Sequence, residues 1–237
     1  MTVTVPRVLF SFPLESSRGN NFYNTSLVTM KACNVVGMVV CITLQRSIFS
    51  EACKFKDFEL IPDVIDVGPK AILNVSFPSG VDASFGNMLT PTEVKDQPTV
   101  QFPAEPEARY TLILTDPDVP DREQPVDGEW IHWLVVNIPG RGLALGDISE
   151  GEVLAEYVGS APPEGSGYHR YTFLVYKQPE QLDFNEKKLD KTMAKDRYRF
   201  KARMFVDKYN LKELSAGNFY QAEYDDYVPS VYQQFKS

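Results

Sequence analysis

The chain has 237 residues, of which 43% are hydrophobic, 12% aromatic and 24% charged, with 24 basic against 32 acidic side chains and a net charge of −8. That balance is globular, with material for a sizeable core, and excludes fibrous, low-complexity and disordered classes. The acidity argues against nucleic-acid binding, which depends on neutralising phosphates, and the sequence offers no transmembrane segment.

Residues 1–53 form a leader unlike the rest. It carries Arg7, Arg18, Lys31 and Arg46 against Glu15 and Glu51, together with all three cysteines, Cys33, Cys41 and Cys53. Residues 1–29 are polar and aperiodic and read as poorly ordered. Met30-Lys31-Ala32 followed by the apolar run 35–44 has the outline of a secretory signal, but an internal one. Translation from Met30 would lead to secretion; from Met1 the expected location is the cytoplasm. Residues 54–237 are acidic and contain no cysteine, so this domain can hold neither a disulfide nor a thiolate metal site.

Alternation over 70–77 followed by Pro78-Ser79-Gly80 predicts a strand closing in a turn, with 81–86 returning as the second arm of a hairpin. Segments 110–115 and 130–138 are rich in β-branched and aromatic residues and predict two strong strands. Segments 153–158 and 170–176, each bounded by Gly or Pro, predict two more. Beyond them the period changes. Phe200, Met204, Phe205 and Tyr209 share one helical face, and Val228-Pro229-Ser230 opens a short helix with proline at an early position. Strands first and helices last predict a mainly β fold, an antiparallel β-sandwich with peripheral and C-terminal helices.

Only two histidines occur, each inside a turn-bounded motif: Asp116-Pro117-Asp118-Val119-Pro120 running on to Glu129-Trp130-Ile131-His132-Trp133, and Gly165-Ser166-Gly167-Tyr168-His169-Arg170-Tyr171. The connection 116–129 is longer than a hairpin needs, as functional loops are. If its flanking strands pair antiparallel, Asp116 and His132 come side by side. Strict alternation would put Trp130, His132, Leu134 and Val136 on one face, and His169, Tyr171, Phe173 and Val175 on one face of the later strand. A carboxylate beside two imidazoles can orient a catalytic base, complete a metal triad, or keep both rings protonated as donors to an anion. Nucleophilic catalysis lacks a Gly-x-Ser-x-Gly elbow, and metal binding lacks a close His spacing. Anion capture asks least, since Gly165-Ser166-Gly167 can add backbone N–H groups beside His169. No catalytic residue, metal or cofactor is assigned. The competing readings are an enzyme using His132 or His169 as general base, and a protein-interaction module with a vestigial pocket.

These same segments, with Pro162-Pro163, with 89–94 and with 217–229, resemble the signature regions of the phosphatidylethanolamine-binding protein family, which includes the Raf kinase inhibitor protein and the carboxypeptidase Y inhibitor. The resemblance implies a β-sandwich with a small anion cavity closed by the C-terminal helix. It implies a ligand set of Asp116, His132 and His169 as floor, with Pro120, Pro162, Pro163, Tyr171 and Tyr232 as walls. It further implies a binding protein for a phospholipid head group or another small phosphate, with inhibition of a protein kinase or serine protease as a related role. The chain departs from the family pattern at Ile131, Asp121, Asp127-Gly128 and Ala161. Segment 192–199 replaces the serine-bearing stretch of the kinase-inhibiting members, which puts Raf-type inhibition in doubt.

Overall fold

The computed structural model describes residues 53–235; the expectations about the leader fall on residues 1–52 and lie outside it. The core is one large sheet in the order β1 (Ala71–Ile72), β9 (Glu213–Ala222), β8 (His169–Gln178), β5 (Arg109–Asp116), β6 (Trp130–Pro139), β7 (Glu152–Ala155), with β3 (Asn87–Met88) also on β9. The long central pairs are antiparallel, but β1 and β3 both run parallel to β9. The expectation of an antiparallel sandwich is therefore corrected to a mixed, open sheet. The mainly β character stands.

A two-stranded sheet, β2 (Asn74–Ser76) with β4 (Thr99–Gln101), covers one face. Val75 and Val100 pack there with Leu112, Leu114, Trp133, Tyr171 and Phe173. The other face, with Ile113, Ile131, Leu134 and Leu174, packs beneath Phe55, Leu60 of α1 (Leu60–Asp63), and Ala202 and Phe205 of α3 (Ala202–Lys208). Helix α2 (Gly140–Leu145) follows β6 directly, and α4 (Val228–Gln234), with Pro229 in its first turn, closes one end of the sheet.

The hairpin expected at 70–86 forms only in part. Phe77 N–H donates to Val81 and Ala83 N–H to Val75, but the first arm breaks at Leu73, whose N–H goes to Gly217. Below Leu73 the chain joins β9, and above it β4, so one predicted strand serves two sheets.

Strand β9 was not expected, and its residues explain why. Gly217 packs against the Phe173 carbonyl, where a Cβ would stand 3.1 Å from that oxygen. Buried Asn218 donates to the carbonyls of Leu73 and Ala83 and accepts from Phe85 N–H, tying three passing segments to the sheet. Both residue types are poor in strand propensity. Here tertiary ties decide.

Candidate functional site

Where β5, β6 and β8 end together, the chain leaves a cavity of about 140 Å³. Its lining includes Asp116, Pro120, His132, Pro163, His169, Tyr171 and Tyr232 from the expected set, with Val119, Asp127, Trp130, Ala161, Tyr198 and Phe235 in addition. Pro162 is buried but is not part of the lining. The Gly165-Ser166-Gly167 turn is not part of it either: Ser166 N–H is spent on the Pro163 carbonyl, and the turn faces a separate surface cleft. The expected backbone donors are thus absent from the cavity lining, because the turn closes on itself.

The position of His132 depends on a bulge. Leu114 pairs with Trp133 and Thr115 with Ile131, so His132 is the extra residue that β5 does not match. Asp116 consequently lies opposite Trp130, not His132, and strict alternation fails. Trp133 and Val135 share the face of Tyr171 and Phe173, while Ile131, Leu134 and Val136 go to the other. Bulges re-aim single side chains in this way. The His132 ring ends at 4.4 Å from Trp130 and 5.1 Å from Tyr171, centroid to centroid.

Hydrogen bonds then fix the protonation of both rings. His132 Nδ1 is 2.8 Å from the Val158 carbonyl, which can only accept, so Nδ1 carries the proton. Burial holds its pKa down at about 4, against the opposite pull of Asp116 and of that carbonyl, with Arg197 and His169 adding to the lowering. His132 is therefore neutral at pH 7, with a bare Nε2. His169 differs. Its Nδ1 lies 2.8 Å from Asp116 Oδ2 and its Nε2 2.9 Å from Ser166 Oγ. Ser166 spends its only proton on the Pro163 carbonyl at 2.7 Å, so Oγ accepts and His169 donates from both nitrogens. Burial opposes that charge, but Asp116, Asp118 and Asp121 outweigh it and raise the pKa. Both nitrogens of His169 are thus engaged by protein groups, while His132 keeps a bare Nε2.

Three further residues, Asp118, Arg170 and Arg197, hold the site from behind. Asp116 Oδ1 accepts Asp118 N–H, and Asp118 forms a buried two-pronged ion pair with Arg170 at 2.6 and 2.9 Å, which locks the 116–120 loop to β8. Arg197, fully buried on a 3₁₀ turn (Lys195–Arg197), lies 5.2 Å from the Trp130 ring. Its five N–H groups all go to backbone carbonyls: Met193, Ile131, His132, Glu156 and Asp190. Burial lowers its pKa to about 10, against Glu156 and Asp190, so it stays charged. Sequence reasoning marked segment 192–199 only as a departure, and nothing in its pattern flags a cation beneath the site.

One segment, 156–161, ties several parts of the site together. The Glu156 carbonyl accepts from Arg197, Val158 exchanges two hydrogen bonds with His132, Ser160 shares a proton with Tyr220, and the Ala161 carbonyl accepts from Tyr232. At the mouth, Asp127 pairs with Arg199 at 2.9 Å, and Tyr198, Tyr232 and Phe235 ring the opening. Among the described residues no group of three His, Cys, Asp or Glu side chains could hold a metal ion, and no helix is long and apolar enough to cross a membrane.

Comparison with known proteins places this geometry. The family described as phosphatidylethanolamine-binding protein matches residues 77–220. The putative odorant-binding protein A5 of Drosophila melanogaster is 40% identical over 176 residues, 74% of this chain and 81% of that protein. The solution structure of CG7054 is 41% identical with a TM-score of 0.63, covering 75% of this chain and 98% of that one. The carboxypeptidase Y inhibitor, solved in complex with its cognate proteinase, is 26% identical with a TM-score of 0.62, covering 74% and 96%.

Proposed function

Since the chain belongs to the phosphatidylethanolamine-binding protein family, we propose that it is a binding protein whose cavity receives the phosphate-bearing end of a small molecule or phospholipid head group. The observation that carries this reading is a lining with unspent hydrogen-bonding groups, the His132 Nε2 and the buried Tyr171 hydroxyl, with the Arg197 cation behind it. At about 140 Å³ the space is below the range of roughly 300–1,000 Å³ usual for drug-sized ligands, so only a head group enters. The rest of such a ligand lies across the mouth. Titration calorimetry with phosphoethanolamine and inorganic phosphate tests this; His132→Ala should weaken binding by about 1.5–3 kcal/mol, the scale of a hydrogen bond involving a charged group. Unchanged affinity in that variant would move the ligand elsewhere.

The order Asp116, His169, Ser166 invites a hydrolase reading, and two features oppose it. His169 already carries two protons and cannot act as base, and the Ser166 proton points to Pro163. Incubation with phospholipid head groups and activated esters should give no product. Inhibition of a serine protease or a protein kinase, if present, would use the surface around the mouth, where Val126, Tyr198 and Tyr232 are exposed. Charge-reversed or alanine variants there should change inhibition without changing phosphate binding.

A further inference from the structure

We propose that Asn74 carries an N-linked oligosaccharide, added as residues 30–52 direct the chain into the secretory lumen. This is independent of what the cavity binds.

The first observation is how the residue is presented. Asn74-Val75-Ser76 has the Asn-x-Ser pattern of an oligosaccharide acceptor, with no proline in the middle. It forms β2, where alternation turns Asn74 and Ser76 out to solvent while Val75 is buried against the sheet. Asn87, Asn137 and Asn218 spend their side-chain amides on backbone carbonyls, whereas the Asn74 amide donates to no described residue. A sugar there would leave from the outer face of the β2–β4 sheet, and none of the strand residues 74–76 lines the cavity.

The second observation is the route. Lys31, the apolar run 35–44, and the small residues Ser50 and Ala52 set two apart just before Cys53 make up, in order, the three parts of a cleavable export signal. Cleavage after Ala52 would leave the folded domain whole, since Phe55, two residues past Cys53, is already fully buried in its core. Arg7, Arg18 and Lys31 precede the apolar run and hold that side in the cytosol, so the domain is the part that crosses. Asn24-Thr25-Ser26 has the same acceptor pattern but lies on the cytosolic side, and it should stay bare.

The transfer balances without a redox partner. The Asn74 side-chain nitrogen attacks C1 of a lipid-pyrophosphate-linked oligosaccharide. The N–C1 bond forms, the bond from C1 to the pyrophosphate oxygen breaks, the amide gives up one proton, and the lipid pyrophosphate departs. The Ser76 hydroxyl, on the same side of the strand, is the second group the transferase holds.

The full chain, and the same chain begun at Met30, would be expressed in cultured animal cells. Secreted protein should begin at Cys53 by N-terminal sequencing and lose a single sugar increment to peptide N-glycosidase. Digested in heavy-oxygen water, its Asn74 peptide should return with an aspartate that carries the label. Asn74→Gln and Ser76→Ala should each abolish the increment, Ser76→Thr should keep it, and Asn24→Gln should change nothing. Retention of both chains in the cytoplasm would overturn the proposal, as would secretion with a bare Asn74 or with a sugar on Asn24. Should Asn74→Gln fail to fold and leave the cell, the labelled peptide of the unsubstituted chain still decides.

Discussion

Replacing Arg197 by methionine removes five donors at once while nearly preserving side-chain length. The carbonyls of His132 and Asp190 keep other partners, Val158 N–H and Met193 N–H, so not every acceptor is stranded. Breaking a buried, fully bonded charge network costs about 3–5 kcal/mol. In a domain of this size each kcal/mol moves the melting temperature by roughly 2–4 °C, so Arg197→Met should melt about 6–20 °C below wild type. Arg197→Lys, which keeps the charge but offers three donors from one point, should fall between the two. The loss of the cation should also let the His132 pKa rise from about 4, since Arg197 is one of the groups that depress it. Calorimetric melting and an NMR titration of the two histidines read both effects. A melting temperature within about 2 °C of wild type would refute the view that this guanidinium ties three segments together.

Stability should respond to acid in two opposed ways. His132 ordinarily titrates near 6.5 and is held at about 4 here, so the unfolded chain binds the proton first. Its contribution of about 3 kcal/mol is full above pH 6.5 and lost as pH falls to 4. Glu129 is pushed by burial from 4.5 up to about 7, so its contribution runs the other way: full below 4.5 and lost, by about 3 kcal/mol, as pH rises through 7. Urea melts of Glu129→Gln should therefore show a gain over wild type at pH 8 that shrinks towards pH 5; no gain would mean the carboxyl is better solvated than its surroundings indicate. Phe55→Ala should cost about 3–5 kcal/mol in the same assay, because its ring is buried against Phe85 and Phe219. A chain begun after Phe58 should be destabilised at least as much, whereas one begun near residue 53 should not. Gly217→Val should cost about 1–3 kcal/mol through contact with the Phe173 carbonyl and Phe55, and a neutral result would show that β9 can shift there.

Much of this fold was legible wherever sequence pattern and tertiary demand agree. Strands β5, β6 and β8 announce themselves by β-branched and aromatic residues, and α4 by its early proline. Strand β9 was hidden because Gly217 and Asn218 answer to close approach and buried hydrogen bonds, not to propensity. At the site, Asp116, His132 and His169 could be named from their motifs, but their roles could not. A one-residue bulge changes which face His132 joins, and alternation cannot register it. The state of each ring hangs on Val158, Ser166 and Pro163, carbonyl and hydroxyl partners that carry no sequence signature. Arg197 is equally silent, since a buried arginine bound only to carbonyls looks like any surface cation in a charged stretch.

The segment 156–161 has a consequence for how such a scaffold can change. Its residues grip Arg197, His132, Tyr220 and Tyr232 in turn, so no one wall of the floor can be recut without disturbing its neighbours. The opening obeys other rules. Val119, Asp127, Tyr198 and Phe235 border the cavity without joining that chain of bonds to 156–161. Novel ligand preferences should therefore be obtainable by exchanging those four alone, with the polar floor kept as a common socket and the tail of the ligand read by an interchangeable collar.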